Sequence, residues 1–285
     1  MYDTIESIYG STVQHGPHND RLYVIHLDSA QEDTLLAELD QRALRHGYGK
    51  VFAKIPEGSW ETFKSAGYIR EAVIPRFFSG RTDCYFVGKF FADRLRTEED
   101  FTDLMKIVED KTFLDRNGVK EGPLIERCSE KDAARLADCY QTAFKSYPFP
   151  VFDAGYLKMM MAENVTYYCI REEGALQAIA ATESEIGDLY AEMTDFATLP
   201  PYRGQGYASA LLNHMERELR AAGIITAFTI ARAASLGMNK AFKKCGYTYA
   251  GLLVNNTQIS GRIESMTVWY KYLMKRGCSN EDNGN

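Results

Sequence analysis

The sequence predicts a fold of the α/β (α+β) class, and three observations carry that prediction. An apolar-ended run over 189–199 leads into Tyr202-Arg203-Gly204-Gln205-Gly206-Tyr207-Ala208 and then a helical pattern, which reads as strand, tight glycine loop and helix start. Two strand-like runs, 167–171 and 176–183, flank the turn Glu172-Glu173-Gly174 as an antiparallel hairpin would. Finally, an ordered series of helix, turn and strand signals occurs twice along the chain.

In chain order, the first series has a helical stretch ending in Gly47 and a strand over 51–55. Phe63-Lys64-Ser65-Ala66-Gly67-Tyr68 then precedes the strand run 69–74, and Ser79-Gly80-Arg81-Thr82-Asp83 turns into a second run, 85–90. The second series has a helix ending in Gly223 and a strand over 227–231. It continues with Phe242-Lys243-Lys244-Cys245-Gly246-Tyr247 before the run 248–254, and Ser260-Gly261-Arg262-Ile263-Glu264 before 266–272. Recurrence of these elements in one order points to a duplicated half-domain. The expected layout is an N-terminal copy at 1–115, a second domain at 122–275 and a frayed polar tail at 277–285.

Between the copies, a helix over 97–114 is expected from Phe101, Leu104, Met105, Val108 and Phe113, with turns at Asn117-Gly118 and Gly122-Pro123. The second domain starts at Leu124-Ile125-Glu126, and Ser129-Glu130-Lys131-Asp132 caps a helix carrying Ala133, Leu136, Ala137 and Tyr140. A Pro- and aromatic-rich loop follows, Tyr147-Pro148-Phe149-Pro150-Val151-Phe152.

Composition narrows the function class. The chain has 285 residues, 45% hydrophobic and 25% charged, with a formal charge of −6, which argues against nucleic-acid binding. No apolar run is long enough to span a bilayer, and residues 1–10 lack the basic and apolar regions of a secretory signal, so no membrane partner and a cytoplasmic location are expected. The six cysteines form no C-x-x-C pair and the five histidines show no metal spacing, so no metal is expected.

The glycine loop carries the chemistry. Glycines at 204 and 206 let the backbone approach a ligand, and the first free N–H groups of the next helix point at phosphate oxygens. The helix shows a buried face of Ala208, Leu211, Leu212, Met215, Leu219 and Ala222. A Walker loop needs Lys-Ser or Lys-Thr where Tyr207-Ala208 stands, and a dinucleotide fingerprint needs glycine where Ser209 stands. The R-x-x-G-x-A spacing suits the pyrophosphate of coenzyme A, with a bare strand-to-helix turn as the bland alternative. The first half has Asp28-Ser29-Ala30-Gln31-Glu32-Asp33 in this place, an acidic helix start that caps its own backbone and repels phosphate, so only the second copy is expected to bind cofactor.

This order of elements resembles the GNAT acetyltransferase superfamily. Several strings are similar to β-lysine N-acetyltransferases in particular: Tyr147-Pro148-Phe149-Pro150-Val151-Phe152-Asp153, Glu192-Met193-Thr194-Asp195-Phe196-Ala197-Thr198-Leu199-Pro200, Thr229-Ile230-Ala231-Arg232-Ala233 and Glu264-Ser265-Met266-Thr267-Val268-Trp269-Tyr270-Lys271. Ile74-Pro75-Arg76-Phe77-Phe78 extends the resemblance into the first half. It implies a mixed, mostly antiparallel sheet flanked by helices, preceded by a degenerate GNAT-like half-domain. It also implies acetyl-CoA as cosubstrate and direct transfer to the ε-amine of β-lysine, the product of a lysine 2,3-aminomutase, giving a compatible solute. Another amine acceptor, or a non-catalytic coenzyme A sensor, stands as the alternative, and an oligomer is left open.

The resemblance gives Glu192 the role of general base. A lysine-type ammonium is neutral only about once in 2,500 at pH 7, a penalty of roughly 4–5 kcal/mol, so a base is valuable. Backbone groups at Phe196, Ala197 and Thr198 would meet the thioester and pantetheine, and Arg203, Gly204, Gln205, Gly206, Tyr207 and Ala208 the pyrophosphate. The asparagine usual for a further coenzyme A contact is Ser235 here, and Asn239, offset by one helical turn, is the expected cofactor-binding residue in its place. Where many members place a tyrosine to protonate the leaving thiolate stands Phe242, leaving Tyr247, Tyr249 or water for that task. For the acceptor, Arg232 is the expected fork for the carboxylate, Asp153, Asp195 and Glu264 the partners for the second ammonium, and Phe149 part of the wall. Simple strand alternation places Asp195 opposite Glu192 unless a bulge re-aims it.

Overall fold

The computed structural model describes residues 2–95, 97, 99–112 and 123–274. The expected boundary at 115–122, the turns at Asn117-Gly118 and Gly122, Phe113 and the tail 277–285 lie outside these residues. The first half holds β1 (Thr4–Ile8), β2 (Ser11–Gly16), β3 (Arg21–His26), α1 (Glu32–His46), β4 (Lys50–Pro56), α2 (Trp60–Ser65), β5 (Ile69–Phe78) and β6 (Thr82–Phe90). Then come α3 (Thr102–Glu109), β7 (Ile125–Arg127), α4 (Ala133–Ala143) and α5 (Ala154–Ala162). The second half continues with β8 (Val165–Glu172), β9 (Ala175–Glu185), β10 (Tyr190–Thr198), α6 (Tyr207–Ala221), β11 (Thr226–Arg232), α7 (Leu236–Lys244), β12 (Thr248–Ile259) and β13 (Arg262–Tyr272). The linking helix α3 is shorter than its apolar stripe predicts. Its buried residues are Leu104 and Ile107, and Lys243 of α7 donates to the Val108 carbonyl at 2.8 Å.

All strands among the described residues join one 13-stranded sheet in the order β1-β2-β3-β4-β6-β5-β12-β13-β11-β10-β9-β8-β7. Among the described residues only β3–β4 and β10–β11 pair in parallel, across α1 and α6 respectively. Read inward from its two edges, each half runs through antiparallel steps, two in the first half and three in the second, then a parallel step, an antiparallel step and a hairpin. They meet where Ala72 of β5 pairs with Gly251 of β12.

The repetition reaches side chains. Phe63 and Tyr68 meet edge to face at 5.0 Å, and Phe242 and Tyr247 do so at 5.4 Å. Lys89 lies 5.8 Å from the Tyr68 ring centre and bonds Asp40 of α1, while Lys271 lies 5.7 Å from the Tyr247 ring centre and bonds Glu216 of α6. Gly67 and Gly246, at φ +90° and +81°, terminate α2 and α7 in the left-handed region that glycine occupies without a Cβ penalty.

Strand alternation divides the core. Val51, Ala53 and Val87 face α1 and α2, whereas Ala227 and Trp269 face α6 and α7. The other face of both halves is shared: Tyr23, Phe52, Phe86, Phe228 and Val268 pack into one cluster with Leu136, Tyr140 and Leu157 of α4 and α5. Burial of such side chains stabilises by about 1.5–3 kcal/mol each, so the common face locks the halves together. At the seam, Lys50 and Glu71 form a buried ion pair at 2.8 Å. Lys50 also donates to the Val254 carbonyl at 2.9 Å and Glu71 accepts from the Val254 N–H at 2.7 Å. Burial presses the Lys50 ammonium down to about 8 although Glu71 pulls it up. Among the described residues no helix is long and apolar enough to cross a membrane.

Candidate active site

The site begins where β10 and β11 part. Their parallel register runs from Tyr190–Thr226 to Glu192–Phe228, and β11 then stays with β13 while β10 stays with β9. Between Thr194 and Ala197 the β9–β10 register slips by one residue, a bulge in which Asp195 takes φ +55°. The bulge turns Asp195 to the same side as Glu192, and both line a cavity of about 590 Å³ that opens between the strands. Phe196 lines the cavity, while Ala197 and Thr198 resume pairing with Ile179 and Ala178 of β9.

Three acids and a lysine set the field. Burial raises Glu192 to about 8, Lys54 pulls it down, Glu183 and Asp195 push it up, and the Ile230 N–H donates to it. Burial likewise raises Asp195 to about 6 against a 2.6 Å hydrogen bond from the Tyr147 hydroxyl. Glu183 is raised by burial and lowered by Lys54. Burial disfavours the Lys54 ammonium, but Tyr23, Tyr190, Glu192 and Glu183 outweigh that and hold it above its ordinary value. Lys54 also stands 5.2 Å from the centre of the Phe228 ring. Lys54 belongs to the first half of the chain, as do Arg21, Tyr23 and Phe52, which line the same cavity.

The glycine loop has the shape its sequence implies. After a short 3₁₀ turn at Pro200–Tyr202, Gly204 and Gly206 adopt φ +79° and +82°, and α6 starts at Tyr207 with Ala208 in its first turn. A Cβ added at either glycine meets no atom within 4 Å, so open space lies over the loop. Arg203 and Gln205 are exposed, and Arg203 Nε donates to the Thr198 carbonyl at 3.1 Å. A free helix N-terminus, left-handed glycines and a splayed strand are the donor set a pyrophosphate and an acyl-pantetheine chain require. The corresponding place in the first half differs, because there Asp28 accepts from the Ala30 N–H at 2.9 Å and fills its own cap.

Several residues have tasks other than those read from sequence. Asn239 is fully buried: its amide donates to the Arg232 and Ser235 carbonyls and accepts from Thr267 Oγ1 at 2.8 Å and Trp269 Nε1 at 2.9 Å. It fastens α7 to β11 and β13 and keeps no group for a cofactor. Arg232 lines the cavity, but its fork is engaged by Glu264 at 2.8 and 2.7 Å. Glu264 is 1% exposed, is also bound by Arg262 at 3.1 Å, and lies outside the cavity wall, so it has no face for an ammonium. Asp153 caps α5 by accepting from Gly155 and Tyr156 N–H groups, also away from the wall. Phe149 and Asp195 do line the cavity.

The position of a thiolate proton donor is likewise clear of tyrosine. Phe242 lines the cavity and meets Phe196 edge to face at 5.7 Å. Tyr247 packs behind Phe242 with its hydroxyl toward Glu216, and Tyr249 packs on Trp269, so neither reaches the cavity. Sequence reading missed Lys54, Arg21 and Glu183. The one signal was a cation inside the apolar stretches 21–25 and 51–55, since a lysine or arginine on a buried strand face needs a reason.

Known proteins match this arrangement. A family model described as the acetyltransferase (GNAT) family matches residues 134–247. The chain is 35% identical over 272 residues to a β-lysine N(6)-acetyltransferase of Methanococcus maripaludis, covering 94% of this chain and 98% of that protein. It is 29% identical to N-acetyltransferase YodP of Bacillus subtilis, over 92% of this chain and 96% of that one. A β-lysine N(6)-acetyltransferase of Methanosarcina mazei is 26% identical, over 79% and 92% of the two chains. The similarity thus includes the first half, beyond the segment that the family model spans.

Proposed function

Because this chain belongs to the GNAT acetyltransferases and is an acetyl-CoA-dependent N-acetyltransferase, we propose that its acceptor is the 6-amine of β-lysine. The product is Nε-acetyl-β-lysine, made by direct transfer in a ternary complex. The observation that carries this reading is the 94% coverage by a relative of that name, because the aligned region includes the half that supplies Lys54 and Arg21 to the cavity.

Acetyl-CoA, when bound, supplies the activated acetyl group. Its pyrophosphate would be held by backbone N–H groups at Gly204, Gln205, Gly206, Tyr207 and Ala208 and by Arg203, and its thioester end by backbone at Phe196, Ala197 and Thr198. Glu192 takes the proton from the incoming ammonium. A carboxylate raised to about 8 is a far better acceptor for that proton than an ordinary one, and near its own pKa both protonation states are populated. Lys54 keeps part of Glu192 ionised, and Asp195 and Glu183 attract the cationic acceptor. With Phe242 at the usual tyrosine position and Tyr247 and Tyr249 outside the cavity wall, the coenzyme thiolate would leave by virtue of its own low basicity or be protonated by water. The first half is a copy that has lost the cofactor loop and serves as the acceptor-side wall.

The acid-rich cavity also favours a second reading, a polyamine acceptor without a carboxylate. Incubation with acetyl-CoA and β-lysine, α-lysine or polyamines, read by free-thiol release and product mass, separates the two. Turnover is expected on β-lysine at the 6-amine; turnover confined to polyamines overturns the β-lysine reading, and none on any amine overturns both.

A further inference from the structure

The cavity wall contains, besides His26, three cationic side chains: Arg21, Lys54 and Arg232. Two are already answered by acids. Arg232 is forked onto Glu264, and Lys54 sits in the field of Glu183 and Glu192. Arg21, at the start of β3, is different: it is 3% exposed and forms no ion pair among the described residues. Its Nη1 donates to the Asn256 carbonyl at 2.6 Å and to Thr257 Oγ1 at 2.9 Å, whereas Nε is buried without a partner. Asp3 acts on it only through space and is itself held by the N–H groups of His18 and Asn19 and by the Asn19 amide.

Its neighbour is the second observation. Asn256 also lines the cavity, is fully buried, and leaves its side-chain carbonyl oxygen without a donor among the described residues. A guanidinium without an acid and an amide oxygen without a donor, joined through Arg21 Nη1, form a complementary pair. Buried polar groups of this kind are normally satisfied, and those that are not mark places where a ligand completes the set. The ring planes of Tyr23 and Phe52, 5.0 and 5.8 Å from the guanidinium carbon, fix its orientation.

We propose that Arg21 and Asn256 bind the β-amino acid head of the acceptor, with the carboxylate on the Arg21 guanidinium and the 3-ammonium on the Asn256 oxygen. The inference rests on the β-lysine reading and assigns its head group to the first half of the chain and to β12, leaving the 6-amine for Glu192. A bidentate guanidinium–carboxylate contact is the strong, geometrically selective form of this recognition.

The test compares β-lysine with 1,4-diaminopentane, the same skeleton without the carboxylate, at saturating acetyl-CoA. The wild type is expected to favour β-lysine through KM. In Arg21→Met, KM for β-lysine should rise roughly tenfold to a hundredfold with kcat changed much less, so that the ratio of kcat/KM between the two amines collapses. Arg21→Lys should recover part of that ratio. The ratio is taken within one preparation and is independent of the folded fraction. A wild type with no preference for the carboxylate overturns the inference without any variant, as does an Arg21→Met enzyme that loses both amines equally. If the wild type ignores β-lysine yet acetylates α-lysine, the substrate reading fails by itself, and the α-lysine and 1,5-diaminopentane pair tests Arg21 in the same way.

Discussion

Ala72 and Gly251 pair across the seam at equivalent places in the two halves, four residues beyond the repeated tyrosines Tyr68 and Tyr247. Pairing of equivalent positions is what a two-fold relation between halves demands. The approach is close: a Cβ on Gly251 would lie 2.2 Å from the Glu71 carbonyl oxygen and 2.7 Å from Ala72 Cα, both backbone atoms that cannot swing away.

Gly251→Val is therefore expected to destabilise the fold by about 3 kcal/mol through overpacking at the seam, with a lower midpoint in urea denaturation. Because Lys54 and Glu192 come from opposite sides of that seam, activity should fall in the fraction that still folds. Wild-type stability in the variant would show that the halves tolerate separation.

Glu192→Gln should reduce kcat/KM near pH 7 by about 10²–10⁴-fold, the usual worth of a positioned base. In the wild type kcat/KM should rise with pH and level off above about 8, as Glu192 ionises. The variant should lose that limb and recover partly toward the acceptor's own pKa, near 10.4. The stability effect has the opposite sense. With its folded pKa raised above the unfolded value, Glu192 costs the wild type increasingly as pH climbs toward 8, so Glu192→Gln should raise Tm at pH 8 more than at pH 5. An unchanged pH profile removes Glu192 as the base.

Lys54→Met tests how the first half tunes the site. Burial raises Glu192 and Lys54 opposes that rise, so deleting the ammonium should move the alkaline-rising limb upward, on the order of one pH unit. At pH 7 this costs roughly tenfold in kcat/KM, while at pH 9.5 the variant should approach wild type. Equal losses at both pH values would point to packing against Phe228 as the sole role of Lys54.

Gly206→Ala probes the cofactor loop. Its φ of +82° is a left-handed conformation that costs a Cβ-bearing residue about 1 kcal/mol, yet no neighbouring atom would clash with the methyl. Tm should therefore drop by only a few degrees. Acetyl-CoA affinity measured by calorimetry should weaken at least tenfold, because the methyl sits where the backbone must meet the pyrophosphate. The Arg21 ratio of the preceding section should be untouched in this variant.

Local signals were sufficient for most of the elements. Gly204 and Gly206 announced a left-handed loop because few other residues adopt that backbone, and Ser129 with Asp132 announced a helix cap because the spacing is set within one turn. The repeat around Gly67 and Gly246 was visible for the same reason. Asp195 was legible only conditionally, since alternation alone places it opposite Glu192 and only the bulge turns it to the cavity.

The sequence by itself determined the proposed cofactor side of this protein: the strand that carries Glu192, the loop Arg203-Gly204-Gln205-Gly206, and an acidic substitute at Asp28 in the first half. Tertiary structure decided the acceptor side. Arg232 and Glu264 carry suitable chemistry but engage each other, Asp153 caps α5 away from the cavity wall, and Asn239, a cofactor candidate by sequence, is held within the core by Thr267 and Trp269. Arg21 and Lys54 carry the same chemistry without a motif, and they matter because one continuous sheet brings β3 and β4 to the face where β10 and β11 separate. Short-range backbone preference is written in neighbouring residues, whereas the pairing of buried charges depends on which distant strands share a face.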